Sequence, residues 1–197
     1  MRQRQSLEPF ANLVSMFFAR AAERGDAPFL WTKRGAKNGS GWQPLSWRET
    51  AEQVAALAAA LGRLGLARGD RVALVSENRP EWCIADLAIM AAGCITVPAY
   101  TTNTERDHQH ILDDSGAAAV IVSTRKLADV LLPAAVRASC RHVVAIEPVR
   151  SPQGETLEVH RWDELIAASA PGRPDVAACA ASAARLTRDD VACLIYT

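Results

Sequence analysis

The stretch that most constrains the fold is residues 69–116, in which two short apolar runs flank a helical pattern. The first run, VALV at 72–75, has the length and composition of a buried strand. The helical pattern begins within ENRPEW. There we expect Asn78 to be the N-cap, Pro80 to lie in the first turn and Glu81 to make the reciprocal capping contact. A second apolar run follows this helix, so the stretch predicts a β-α-β-α unit.

Four apolar runs of this kind occur in order, at 72–75, 94–97, 118–122 and 142–146. They are separated by about the two dozen residues that a helical crossover needs, so we expect the strands to be parallel. Right-handed crossovers then place helices on both faces of the sheet. The sequence therefore predicts an α/β fold with a doubly wound, mostly parallel sheet, in which ligands bind beyond the carboxyl ends of the strands.

Regular structure is also predicted before the sheet. An apolar stripe over 10–21 indicates a helix, and SWRE at 46–49 is a capping box that opens the next one. Two short strands at 29–33 and 43–45 should form a hairpin around a polar loop.

The chain divides into three predicted segments. These are an α/β N-terminal subdomain at 1–147, a connector with a short helix at 148–185, and a terminal strand at 186–197.

Composition excludes several classes of protein. Lys and Arg together number 22, as do Asp and Glu, and no basic run with interleaved aromatics occurs, so we expect no nucleic-acid partner. Five cysteines without C-x-x-C spacing indicate a reducing compartment. No apolar run reaches the roughly 18 residues of a membrane span. We therefore expect a cytoplasmic protein, with peripheral contact at a membrane and a homodimer both left open.

Candidate binding residues follow two of the predicted strands. Thr101 and Thr102 emerge after the strand that ends near Pro98, at the expected ligand edge. N-capping is the simpler role for Thr102, which with Thr104 precedes a helical pattern.

Two adjacent cations form the second candidate. Arg125 and Lys126 follow the strand at 118–122, where their charges suit phosphate, although an exposed pair near a helix start is the commoner case.

No metal site is predicted. His108, His110 and Asp114 share one helical pattern, and a solvated helix face explains them better than a metal cluster, which needs several convergent ligands. No catalytic residue is assigned, because the chain contains no complete catalytic motif.

The motifs GDRVA, NRPEW and G-x-x-x-VP-x-Y, in that order, resemble the N-terminal part of the AMP-forming acyl-CoA synthetases, especially the long-chain fatty acid ligases. The last residues, LTRDDVACLIYT, resemble the strand that in this family leads into a phosphate loop of the form YTSGTTG-x-PKG. Thr197 matches the first threonine of that loop. The resemblance therefore implies a partial N-terminal domain of an acyl-CoA synthetase-like fold.

In the full-length enzyme, the resemblance implies ATP, Mg and CoA as cofactors and a fatty acid as substrate, with acyl adenylation followed by thioester formation. Thr197 would bind ATP phosphates, Thr101 and Thr102 would lie near the CoA side of the site, and Arg125 and Lys126 would meet CoA phosphates. The phosphate loop, acyl pocket and catalytic lysine would follow Thr197, so the chain is expected to be an inactive fragment that binds none of these ligands tightly. The alternative is a stand-alone α/β binding or interaction domain without ligase activity.

Overall fold

The computed structural model describes residues 10–34, 41–138, 140–150, 157–168 and 175–197. The helices of these residues are α1 (Leu13–Arg24), α2 (Trp47–Arg63), α3 (Pro80–Ala91), α4 (Glu105–Ser115), α5 (Arg125–Arg137), α6 (Trp162–Ala167) and α7 (Val176–Ala183). The strands are β1 (Pro28–Arg34), β2 (Gly41–Ser46), β3 (Arg71–Val75), β4 (Ile95–Pro98), β5 (Ala119–Val122), β6 (His142–Ala145) and β7 (Glu158–Arg161).

The main sheet has the strand order β4-β3-β5-β6-β7, and every neighbouring pair in it is parallel. The chain passes outward from β3 to β4 and then returns across β3 to β5, so the direction of winding reverses between β3 and β5. The predicted doubly wound parallel sheet is confirmed. Strands β1 and β2 form the predicted antiparallel hairpin, although the loop between them lies outside the described residues.

Helices cover both faces of the sheet. Alternate residues of β3 show the division, because Val72 and Leu74 face the core that contains α1, α2 and α3, whereas Ala73 and Val75 face the core of α4 and α5. All four of these side chains are buried. Because β3 is buried on both faces, its segment VALV is apolar at every position, as is typical of a strand in a parallel sheet.

Helix α2 begins where the sequence predicts. The Ser46 hydroxyl accepts a hydrogen bond from the Glu49 backbone N–H, and the Glu49 carboxylate accepts one from the Ser46 backbone N–H at 2.8 Å. The capping box is therefore confirmed.

The N-cap predicted for α3 is wrong by one residue. Arg79, not Asn78, is the N-cap, with an extended backbone (φ −152°) and no capping contact from its side chain. The reason is that Pro80 occupies the first helical position, where its fixed φ and missing N–H are tolerated best. The Arg79 side chain instead contacts two carboxylates.

Helix α4 is fixed at both ends. Thr104, one of the two predicted caps, forms a capping box with Asp107, so Thr102 is not the N-cap. At the other end Gly116 adopts the left-handed conformation (φ +59°), and a Cβ there would lie 2.7 Å from Nη2 of Arg71. That guanidinium donates hydrogen bonds to the carbonyls of Ser115 and Gly116, at the helix end where a cation is favoured.

Residues 186–197 run beside β4 but pair with it at a single point. Leu194 N donates to Thr96 O at 2.9 Å and Thr96 N donates to Ala192 O at 3.0 Å, giving one parallel bridge between Thr96 and Cys193. Strand β7 was not predicted from the sequence, and it adds a fifth strand to the sheet beyond residue 147. The proposed segment boundaries stay predictions.

No helix in the described ranges is long and apolar enough to cross a membrane.

Candidate functional site

A cleft of about 550 Å³ lies at the carboxyl ends of β3 and β4. We call it the tyrosine cleft, because Tyr100 and Tyr196 form part of its wall; it is lined by Ser76, Glu77, Asn78, Trp82, Pro98, Ala99, Tyr100, Thr101, Ile195 and Tyr196. A second cleft of about 230 Å³ shares Tyr100 and Tyr196 with it and is also lined by Thr197. Both clefts lie at the carboxyl ends of the strands, where parallel α/β folds bind ligands.

Tyr196 anchors the end of the described chain to α4. Its hydroxyl donates a hydrogen bond to Oδ2 of Asp114 at 2.7 Å, and its ring meets that of His110 edge-on, with the centroids 6.0 Å apart. Burial, the hydrogen bond and the negative charge of Asp114 together raise the pKa of the phenol. These contacts hold Thr197 at the wall of the second cleft.

A side-chain hydrogen bond joins the ends of β3 and β5, the two strands between which the direction of winding reverses. The buried Ser123 hydroxyl, just after β5, donates a hydrogen bond to Oε2 of Glu77, just after β3, at 2.5 Å. Burial would raise the pKa of Glu77, but hydrogen bonds and the nearby positive charge of Arg79 outweigh it and lower that pKa. A negative charge therefore occupies the crevice between the two strands, which disfavours a phosphate there.

Arg79 ties the start of α3 to the end of β6. Its guanidinium donates two hydrogen bonds to Glu81, at 2.8 and 3.3 Å, and one to Glu147 at 2.7 Å. The bonds to Glu81 and then to Glu147 raise the pKa of Arg79 despite partial burial. Because its charge is already matched by two carboxylates, Arg79 fixes the rim of the site and is poorly suited to binding an anionic ligand.

The predicted site residues do not all meet at one place. Thr101 lines the tyrosine cleft and Thr197 lines the second cleft, and both side chains are exposed. Thr102 occupies an exposed turn beside Thr101 and belongs to neither lining.

Arg125 and Lys126 lie at the start of α5, beyond the carboxyl end of β5, and both are exposed. Oδ2 of Asp129 lies 3.9 Å from Nε of Arg125, a loose contact one helical turn away. Neither cation lines either cleft; in fact, the described linings of both contain no Arg or Lys.

The interpretation of the α4 polar residues as one solvated face is wrong for His108. This side chain is buried, with 2% of its surface exposed, and burial lowers its pKa. His110 and Asp114 instead contact Tyr196. The three side chains do not converge on a common point in the way that a metal site requires.

Another cavity, of about 320 Å³, lies between α1 and residues 186–192, beside the amino end of β4. It lies at the amino end of β4, whereas the tyrosine cleft lies at the carboxyl end of the same strand. Ligands of open parallel sheets bind beyond the carboxyl ends of the strands, so the tyrosine cleft is the stronger candidate for a ligand-binding site.

The roles of Glu77, Ser123 and Tyr196 were not predicted from the sequence. Ser123 comes directly after one predicted strand and Glu77 comes two positions after another, and these positions were the available signal. Their contact, however, depends on β3 and β5 being neighbours, which the order of the strands along the chain does not fix.

Comparison with known proteins places this architecture in a family. Residues 17–197 match the family described as AMP-binding enzyme. The chain is 40% identical over 83 residues to a long-chain-fatty-acid-CoA ligase of Mycobacterium tuberculosis, covering 42% of this chain and 14% of that protein. It is 33% identical over 136 residues to a long-chain-fatty-acid-CoA ligase of Salmonella typhimurium, covering 68% of this chain and 23% of that protein.

Among solved structures, a long-chain-fatty-acid-CoA ligase from Archaeoglobus fulgidus superposes with a TM-score of 0.74 at 19% identity, covering 100% of this chain and 36% of that one. At this identity the likeness concerns the fold. The match over residues 17–197, together with the parallel sheet and its carboxyl-edge clefts, shows that the chain belongs to the AMP-binding enzyme family.

Proposed function

We propose that this chain is the N-terminal α/β scaffold of an ATP-dependent, AMP-forming fatty acid-CoA ligase. Such an enzyme joins a carboxylate to AMP with loss of pyrophosphate and then transfers the acyl group to the thiol of CoA. The observation that carries the proposal is the family match over residues 17–197, a range that includes Tyr196 and Thr197 at the carboxyl ends of the strands. The activity would belong to the longer protein, since the chain spans 14% and 23% of the two relatives described above.

Within this proposal, the tyrosine cleft would accommodate an uncharged part of the ligand. Its lining offers aromatic rings, hydroxyls and apolar side chains around Tyr100 and Trp82, together with the carboxylate of Glu77. Such a surface suits the pantetheine arm of CoA better than it suits phosphate. Thr101 and Thr102 would then flank the approach of CoA, and Arg125 and Lys126 would meet its phosphates farther along the same edge.

The described residues of the two clefts are poorly suited to Mg²⁺, which needs several oxygen ligands. Glu77 already accepts a hydrogen bond from Ser123, and the carboxylate of Asp107 accepts hydrogen bonds from the N–H and hydroxyl of Thr104. Thr197 supplies one hydroxyl. We therefore infer that ATP phosphates and Mg²⁺ are held mainly by other parts of the enzyme, and that neither ATP, Mg nor CoA binds tightly to this chain alone.

The test compares the 197-residue chain with the product of the uninterrupted reading frame that encodes it. We expect the longer protein to convert a fatty acid, ATP and CoA into acyl-CoA, AMP and pyrophosphate, and the 197-residue chain to form none of these products. A longer protein that binds these ligands without forming thioester would contradict the ligase. It would favour a binding or interaction domain on the same scaffold.

A further inference from the structure

Two histidines and a glutamate converge on the edge strand β7 and its neighbour β6, away from the clefts at the carboxyl ends of β3 and β4. His142 is the first residue of β6, and Glu158 and His160 lie on β7, with His142 paired in register with Glu158. Residues two apart on a strand share a face, and parallel partners in register share it too, so all three side chains project from the same side of the sheet. The parallel pairing of β6 and β7 therefore brings the three groups together.

The three donor atoms are almost equidistant. Nδ1 of His142 lies 3.3 Å from Nε2 of His160, and Oε2 of Glu158 lies 3.5 Å from the first nitrogen and 3.6 Å from the second. Tetrahedral coordination with bonds of 2.0–2.1 Å separates neighbouring ligand atoms by about 3.3–3.4 Å. The observed triangle matches that spacing to within a few tenths of an ångström.

The chemistry of the donors agrees with the geometry. Two facing ring nitrogens this close cannot both carry a proton, so at least one lone pair points into the triangle. Imidazole nitrogen and carboxylate oxygen are ordinary zinc ligands, and three protein ligands leave a fourth position for water. The His142 and His160 side chains are mostly shielded, at 13% and 22% exposed, whereas that of Glu158 is 67% exposed, which leaves a path for an ion to enter.

We propose that His142, His160 and Glu158 form a binding site for a divalent transition-metal ion, with Zn²⁺ as the best-fitting ion. The ion would replace the hydrogen bond between the two rings. The ring that donated this bond would stay neutral by changing tautomer, with its proton moving from the coordinating nitrogen to the other ring nitrogen. Because β7 is the outermost strand of the sheet, the ion would join the edge strand to β6 and stabilise that side of the fold. The proposed metal site includes His142 at the amino end of β6, whereas the clefts lie at the carboxyl ends of the strands. The metal site is therefore remote from the proposed ligase chemistry.

The test is calorimetric titration of the 197-residue chain with zinc chloride, accompanied by thermal melts. We expect saturable binding of one ion per chain and a higher melting temperature with zinc. H142A and H160A should each weaken binding by at least about tenfold and lose the thermal shift. E158Q keeps the size of an exposed side chain, so it should fold normally and still bind less tightly. H110A is the matched control, because His110 lies on α4, and it should bind zinc as the unaltered chain does.

Cobalt substitution separates this site from a cysteine site. A Co²⁺ complex of nitrogen and oxygen ligands lacks the thiolate charge-transfer band, and C193A should leave its spectrum unchanged. A folded chain that takes up no zinc, a zinc affinity in H142A and H160A equal to that of the unaltered chain, or a thiolate band with cobalt would each overturn the proposal.

Discussion

The hydroxyl of Tyr196 donates a 2.7 Å hydrogen bond to Oδ2 of Asp114, joining the end of the described chain to α4 across 82 residues of sequence. Within the part of the chain that the structure describes, the backbone of the same segment is hydrogen-bonded to the sheet only at the bridge between Cys193 and Thr96. The position of Thr197 at the second cleft therefore depends on a small number of contacts, and the Tyr196 side chain supplies a central one.

Replacing Asp114 with Asn should lower the pKa of Tyr196 toward its usual value of about 10. The shift should be partial, because burial is the larger cause of the raised pKa and persists in the variant. The measurement is the absorbance titration of tyrosinate in a Tyr100→Phe background, which leaves Tyr196 as the single tyrosine of the chain. Asp113→Asn is the control, since Asp113 accepts hydrogen bonds from Gln109. Equal titrations for the two Asn variants would show that Asp114 does not act on Tyr196.

Replacing Ser123 with Ala should reduce the free energy of unfolding by about 1 kcal/mol at pH 7, through loss of the hydrogen bond to Glu77. The pKa of Glu77 is lowered in the folded state, so this contribution is present above the unfolded pKa of about 4.3 and is lost as pH falls through the folded pKa. Urea melts of the variant and the unaltered chain should therefore converge in acid. A difference that stays constant with pH would contradict the role of ionised Glu77.

Ser46→Ala and Asn78→Ala form a matched test of helix capping. Ser46 caps α2, so its loss should cost about 1 kcal/mol, whereas Asn78 caps nothing and its replacement should stay within about 0.5 kcal/mol. Chemical denaturation measures both. A larger loss for Asn78 than for Ser46 would reverse the assignment of these caps.

Replacing both Arg125 and Lys126 with Ala in the longer protein should raise the apparent KM for CoA on the order of tenfold, if each charge-assisted contact is worth about a kilocalorie. The apparent KM for ATP should change little. A Lys33→Ala, Arg141→Ala double variant removes two exposed cations from other parts of the surface and is the control. The measurement is steady-state kinetics. If the KM values for CoA and ATP rise together, or if the control variant behaves in the same way, then Arg125 and Lys126 have no specific role in binding CoA.

Local features of the fold were predictable from the sequence because each depends on neighbouring residues. The apolar run 72–75 and the capping box at Ser46 both carry their signal within a few positions. The shifted N-cap at Arg79 was also within reach, since Pro80 at the first helical position indicates that the residue before it is the cap.

Features that depend on strand neighbours were not predictable in this way. Strand β7 has the sequence EVHR, whose polar residues resemble a loop until pairing with β6 is known. Likewise, His142 and His160 are separated by 18 residues and meet only because those two strands pair. The contact between Glu77 and Ser123 has the same origin, because it exists only where β3 adjoins β5.

We propose that this chain supplies a scaffold and that the chemistry needs the rest of an AMP-forming ligase. The most direct measurement is pyrophosphate release by the 197-residue chain from ATP in the presence of a fatty acid, with the longer protein as the positive control. We predict fatty-acid-dependent release by the longer protein and none above buffer by the chain alone. Release by the chain alone that disappears in its Thr197→Ala variant would show that this chain performs adenylation without the rest of a ligase.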